Sequence, residues 1–448
     1  MNKKTKRGFT IVELVIVIAV IAILAAVLIP TFASVIKKAN LSADQQAVTT
    51  MNKQLAIADV DEDIDSLPEA ITALAKAGLD LEDYKPLTKD HYFYFTVVDG
   101  TPTIILADKN DDIVFPAGLT KEDTTSWYSL SGITPVEKVD IVENNAVVNN
   151  GAQLAYVIDA AKTGKEEVSN VTLNADVNLR GAGVDFGKVK SNLTIDGNGN
   201  KTISNGRSDE NALTSTGGEF AVNEYGFGFI GTVEKGATVT IKDVTLEGFF
   251  SGNTIGNHEK GANTVGLIAG YVYGTLILEN VTIKNSTVYG YQKVGAIVGQ
   301  ILGGEVILKN VTFENVTVIG NTEVATIAGI MNSTATITLE NTTTDGITVE
   351  STAKGQFKGS EITPNAELTS ALSAASLSLN ADSYFFICNN VAQTSFWFAG
   401  AVTTDWAWYA PTTYVRGSTL FNLMYNGKNA TNNGIAYEFS SYPFTYKG

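Results

Sequence analysis

A chain of 448 residues is long enough for about three ordinary domains. Its 31 Lys and Arg against 47 Asp and Glu give a formal charge of −16, an acidic surface that repels phosphate backbones and argues against nucleic acid as a partner. A single cysteine (Cys388) excludes a disulfide framework and a cysteine-rich metal site, and two histidines (His91, His258) leave little for imidazole chemistry.

Residues 1–8, MNKKTKRG, are a basic leader carrying Lys3, Lys4, Lys6 and Arg7. From Leu14 to Ile29 the chain is apolar without interruption, and the 23 residues between Glu13 and Lys37 hold no charge. As a helix they span about 35 Å at about 1.5 Å per residue, enough for a bilayer core of about 30 Å. The leader stays cytoplasmic by the positive-inside rule and the rest is exported, with Lys37 and Lys38 a weaker opposing signal. Glu13 is anomalous: a carboxylate at the centre of such a segment costs roughly 2.5–3.5 kcal/mol, so even at its edge it needs a partner. A secretory signal peptide fits poorly, because its apolar region is uncharged; a plain signal anchor tolerates Glu13 without requiring it.

The run Gly8-Phe9-Thr10-Ile11-Val12-Glu13-Leu14 resembles the prepilin peptidase site of type IV pilins and pseudopilins, and Pro30 matches that family's helix-kinking proline. The resemblance covers residues 3–40. It implies cleavage after Gly8, N-methylation of Phe9 by a prepilin peptidase/N-methyltransferase, and pairing of Glu13 with a neighbouring subunit's terminal amine. The implied partners are the membrane and other pilin subunits, packed helix to helix. The implied location is a single-pass membrane protein that then enters a bacterial surface filament. Many pilin heads close a loop with a disulfide; this chain cannot, which fits cysteine-poor forms from Gram-positive bacteria.

Residues 9–36 are thus expected to be the transmembrane or filament-core helix, and residues 37–135 a pilin-like head. Apolar positions continue at helical spacing through Val35, Ala39, Ala43, Ala47, Met51 and Leu55. Ser66-Leu-Pro-Glu69 is a capping box and Gly78 a stop, which predicts a second helix over 67–77. Runs 91–98, 101–107 and 113–115, the first two joined by Asp99-Gly100, predict an antiparallel meander. Asp108-x-Asn110-x-Asp112 fails as a calcium loop, because Ile113 stands where glycine and Leu119 where glutamate would be needed.

Between 150 and 350 the chain repeats. Val265–Gly270, Val294–Gly299 and Val324–Gly329 recur at spacings of 29 and 30, and a second track, at Leu276, Val306 and Ile337, keeps step. An earlier copy begins at Val239. This is the signature of a solenoid whose stacked copies share one core. Asn280, Asn310 and Asn341 fall at one turn position, and Asn285, Asn315 and Asp345 at another, as in side-chain ladders. The helix at 151–162 followed by strands at 171–179 and 193–203 resembles the start of pectin-lyase-like right-handed parallel β-helices, and the glycine track resembles GLUG repeats of bacterial surface proteins.

Relatives of that shape cleave polysaccharides, which needs converging carboxylates. Equivalent positions Glu279, Lys309 and Glu340 are inconsistent in charge, and Asp176, Asp185, Asp196, Asp209 and Glu210 sit at the thin end of the repeat. No catalytic residue, metal ligand or cofactor is therefore assigned. The C-terminal segment 365–448 is aromatic-rich, with Trp397, Trp406, Trp408 and Tyr409 in dense clusters. It is expected to be either a β cap closing the solenoid or a surface for glycans or proteins. The fold expected is α+β in the pilin-like part, a long helix on a small antiparallel sheet, then an all-β right-handed parallel β-helix and an aromatic-rich cap. The function expected is a minor or tip pilin displaying an adhesion module, not an enzyme. The alternatives are a pseudopilin of a secretion or uptake system and a membrane-anchored polysaccharide-acting enzyme.

Overall fold

The structure is a computed structural model that describes residues 11–351 apart from 62, 211, 218–225, 253–263, 321 and 332–334. It also describes short strands at 357–358, 377–378, 384–390, 393–399 and 445–446. Helix α1 (Ile11–Ala58) runs for 48 residues and continues through Pro30, whose missing N–H removes one bond from the ladder. Wherever burial is described between Ile11 and Ala39, the side chains are exposed except for half-buried Ala25.

The lower half of α1 packs on the head through Val48, Met51 and Leu55. The expected apolar stripe needs correction, since Val35, Ala39 and Ala43 face outward while Asp44 is buried. Asp44 turns inward because its carboxylate accepts the amides of Leu87 (2.7 Å) and Thr88 (2.9 Å). Asn52, one turn above Val48, exchanges bonds with both backbone groups of Ile104, accepting at 2.6 Å and donating at 3.0 Å. Two polar side chains thus set the helix rotation that an apolar count alone misses.

Helix α2 (Leu67–Lys76) starts at its capping box, where Glu69 accepts from the Ser66 hydroxyl (2.6 Å) and amide (3.1 Å). Strands β1 (His91–Val98), β2 (Thr101–Asp108) and β3 (Ile113–Phe115) form the antiparallel meander. Asp99 and Gly100 both take positive φ, which suits a two-residue hairpin turn. A fourth strand, β4 (Tyr128–Ser129), pairs with the outer side of β1. The helices and Phe93, Phe95, Ile104 and Leu106 share one core.

From residue 141 onward the chain is β-rich, with parallel strands. Leu193–Ser204, Thr238–Glu247 and Thr275–Tyr289 lie side by side, and the sheet continues through Glu305–Lys309 with Thr312–Gly320, then Thr336–Glu340 with Ile347–Ser351. A second sheet stacks Lys188–Val189, Ile230–Val233, Ala269–Val272, Val298–Ile301 and Ala328–Met331. The sequence period is the pairing register: Leu276 lies opposite Val306, and Val306 opposite Ile337. Inward columns such as Val239–Leu276–Val306 face Val233, Val272, Ile301 and Met331 in one continuous core. Gly295 is sterically required in its rung, since a Cβ there would collide with the carbonyl oxygens of Val298 and Ile327.

Asparagine ladders tie the turns together. Asn280 donates to Asp243 (2.8 Å), Asn310 to Asn280 (2.9 Å) and Asn341 to Asn310 (3.2 Å), and all four residues have positive φ. Asn315 donates to Asn285 (3.1 Å) in a second column. Helix α3 (Gly151–Thr163), capped by Asn150, packs Leu154, Val157 and Ile158 into the same core. The strand expected over 171–179 is two short ones, Asn170–Leu173 and Val177–Asn178. The bend between them leads into Asp176, whose carboxylate accepts the Thr202 amide at 2.8 Å. At the far end Ile337 and Leu339 are only partly buried.

Candidate functional site

Two features stand out as functional, the exposed half of α1 and the seam joining the head to the stack. α1 is long and apolar enough to cross a membrane by length and composition, and its membrane-length window is not buried against the rest of the chain. Glu13 and Pro30 lie on this exposed part. Lys3, Lys4, Lys6, Arg7, Gly8 and Phe9 lie outside the described residues, as do Trp406, Trp408 and Tyr409. Trp397 falls in strand Gln393–Ala399, opposite Phe386 of Tyr384–Asn390.

At the seam the segment after β4 knits into the stack backbone. Ser129 N–H donates to Arg180 (2.8 Å), Gly183 to Gly132 (2.8 Å) and Leu213 to Ser131 (2.8 Å). Arg207, 1% exposed, donates from Nη1 to the carbonyls of Ser129 (2.9 Å) and Leu130 (2.6 Å), while Nε and Nη2 hold the buried Asp209 carboxylate. Arg180 pairs with Asp111 of the head at 2.5 Å. Gly181 lies where the two parts meet; its φ is +72° and a Cβ would come 2.8 Å from Ser129 N. These contacts fix the head on the stack. Sequence reasoning does not single out Arg207; the available signal is an Arg and an Asp two apart on a strand, which places both on one face.

The acidic residues at the thin end are occupied structurally. Asp185, buried, pairs with Lys162 at 2.7 Å. Asp196 pairs with Lys242 at 2.8 Å, and although partial burial opposes it, that pairing helps hold the carboxyl below its usual range. Asp209 serves Arg207. Glu210 is the exception: burial, reinforced by neighbouring Asp209, pushes its carboxyl up to about 7. Asp185, Asp196 and Asp209 thus sit in three separate ion pairs.

Residues 3–29 match the prokaryotic N-terminal methylation motif. The N-terminus is that of a type IV pilin-like or pseudopilin-like subunit. The motif implies processing by a prepilin peptidase and assembly with other pilins, and together with the apolar helix it fits a subunit first anchored in the membrane and then exposed at the surface. No curated protein and no solved structure matches the chain.

Proposed function

We propose that the chain is a minor or tip subunit of a type IV pilin-like surface filament, with the parallel stack, a right-handed β-helix, carried outward as an adhesion module. The observation that carries this reading is the methylation motif on an exposed apolar helix whose lower half is built into a head fixed to the stack. A separate membrane anchor would need only the apolar stretch, whereas this motif is a peptidase substrate. The bulk of the stack favours a terminal or occasional place over a repeating one, where every neighbour would have to accommodate it. Glu13 and Pro30 take the assembly roles, Gly8 and Phe9 the processing roles, and Trp397, Trp406, Trp408 and Tyr409 are the candidate ligand rings. The stack is read as a scaffold for display and not as a catalyst, because four of its five candidate carboxylates are engaged in holding cations or backbone.

The test is N-terminal mass spectrometry of the protein from its native host, with and without the prepilin peptidase. A mature end at N-methyl-Phe9 that depends on the peptidase is expected. An end near Ala26–Ala33 would mean ordinary secretion and overturn the reading. Co-isolation with sheared filaments, as against retention with a secretion machine in the envelope, separates the pilin from the pseudopilin role.

A further inference from the structure

The shared core of the stack thins at its last rung. Val306, Leu308, Val316 and Val318 are fully buried. Their counterparts one rung on, by strand register, are Ile337, Leu339, Ile347 and Val349. The first three are only partly buried, and Val349 is 7% exposed. No described strand continues the sheet beyond Thr336–Glu340 or Ile347–Ser351. At the opposite end α3 supplies a cover, with Leu154, Val157 and Ile158 in the core. Large aliphatic side chains at the end of a solenoid, beside a strand edge, form a surface that needs the same protection.

The chain itself leaves from this surface. Ser351 ends the last strand of the rung, and 97 residues follow it. They hold five Lys and Arg against five Asp and Glu, so the net charge of −16 lies entirely in residues 1–351. They also hold 18 of the 41 aromatic residues. Within them Tyr384–Asn390 and Gln393–Ala399 pair antiparallel, Phe385 opposite Phe398 and Ile387 opposite Phe396. Alternate positions on a strand share a face, so these four positions make one apolar face of the hairpin. A second copy is the poorer occupant: end to end it would set Asp345 and Glu340, both exposed, against their own counterparts.

We propose that the chain's own C-terminal segment closes the stack, the hairpin lying across Ile337, Leu339 and Ile347 by its Phe385, Ile387, Phe396 and Phe398 face. A neutral, aromatic-rich segment covers apolar surface without charge repulsion, and it starts at the rim it has to cover. Phe386 and Trp397, opposite one another at the intervening positions, fall on the hairpin's other face. That face is turned away from the stack and is the one left to meet a ligand. The closure belongs to the fold of a single chain and stands whether or not the chain enters a filament.

The test is cysteine trapping in the full chain, held in detergent micelles. Cys388 is the chain's one cysteine, so Cys388→Ser gives a background with none. Ile337→Cys, Leu339→Cys or Ile347→Cys is combined there with Phe385→Cys, Ile387→Cys, Phe396→Cys or Phe398→Cys, oxidised, and read by mass spectrometry of the unreduced digest. At least one pair is expected to bridge within the monomer, which requires Cα atoms within about 7 Å. The same hairpin substitutions combined with Val142→Cys, exposed at the start of the stack, are expected to give no bridge. A second readout does not depend on bridge geometry. Leu339→Lys would set a charge beneath the closed end, so amide exchange across Tyr384–Ala399 should quicken roughly tenfold or more. Bridges formed only between molecules would give the surface to a second copy and overturn the proposal. So would the absence of any bridge within the monomer, or exchange that Leu339→Lys leaves unchanged.

Discussion

Nη1 of Arg207, on the stack, donates to the carbonyl of Leu130, in the head, at 2.6 Å, and the same nitrogen reaches Ser129 at 2.9 Å. One buried guanidinium thus closes the turn that leaves the head and neutralises Asp209 behind it. The two parts are expected to unfold together as a consequence.

Arg207→Met removes the cation and leaves Asp209 buried without it. The expected cost is about 3–5 kcal/mol. Calorimetry should resolve the single transition of the parent into two, with the head melting first. A single transition at the parent's temperature would show that the backbone bonds of the seam suffice alone.

Asn310 occupies the middle of a ladder in a left-handed conformation, φ +51°. Asn310→Ala loses both side-chain bonds and strains the backbone, whereas Asn310→Gly loses only the bonds. The alanine variant should be less stable than the glycine variant by about 1 kcal/mol in chemical denaturation.

Asp196, Lys242, Glu279, Lys309 and Glu340 stand opposite one another on successive rungs, alternating in sign. Lys309 lies 3.6 Å from Glu340. Lys309→Glu would place three carboxylates in adjacent rungs and should cost about 1 kcal/mol at low salt. Most of that loss should vanish in about 1 M salt, where exposed charges are screened; a loss that persists would point to packing instead.

Glu210 supplies a pH dependence. Its folded carboxyl titrates near 7, above the unfolded range, so the folded state keeps a proton that the unfolded state has lost. Its contribution therefore favours folding at low pH and is lost as pH rises through about 7. Glu210→Gln should flatten the fall in melting temperature between about pH 5 and about pH 8 and stabilise the protein at the upper end.

Features set by near neighbours in the chain are legible in the sequence. The α2 capping box, the Asp99-Gly100 turn and the spacing of 29 and 30 each rest on contacts that recur locally or by repetition. The column Glu279–Lys309–Glu340, by contrast, looks inconsistent as a catalytic set, and its register explains why: the charges alternate to attract across rungs. The buried face of α1 escapes an apolar count because Asp44 and Asn52 answer to backbone groups 43 to 52 residues away.

The sequence alone determined the processing signal, the membrane-length helix and the repeat, because a peptidase motif, an apolar run and a period are properties of a linear string. Tertiary structure alone decided the seam: the pairing of β4 with β1, the reach of Arg207 to Leu130 across 77 residues, and the pairing of Arg180 with Asp111. Such pairings depend on which strand edges and buried carbonyls meet once the chain has closed on itself. A guanidinium's partners are chosen by that geometry and leave no period or motif to read.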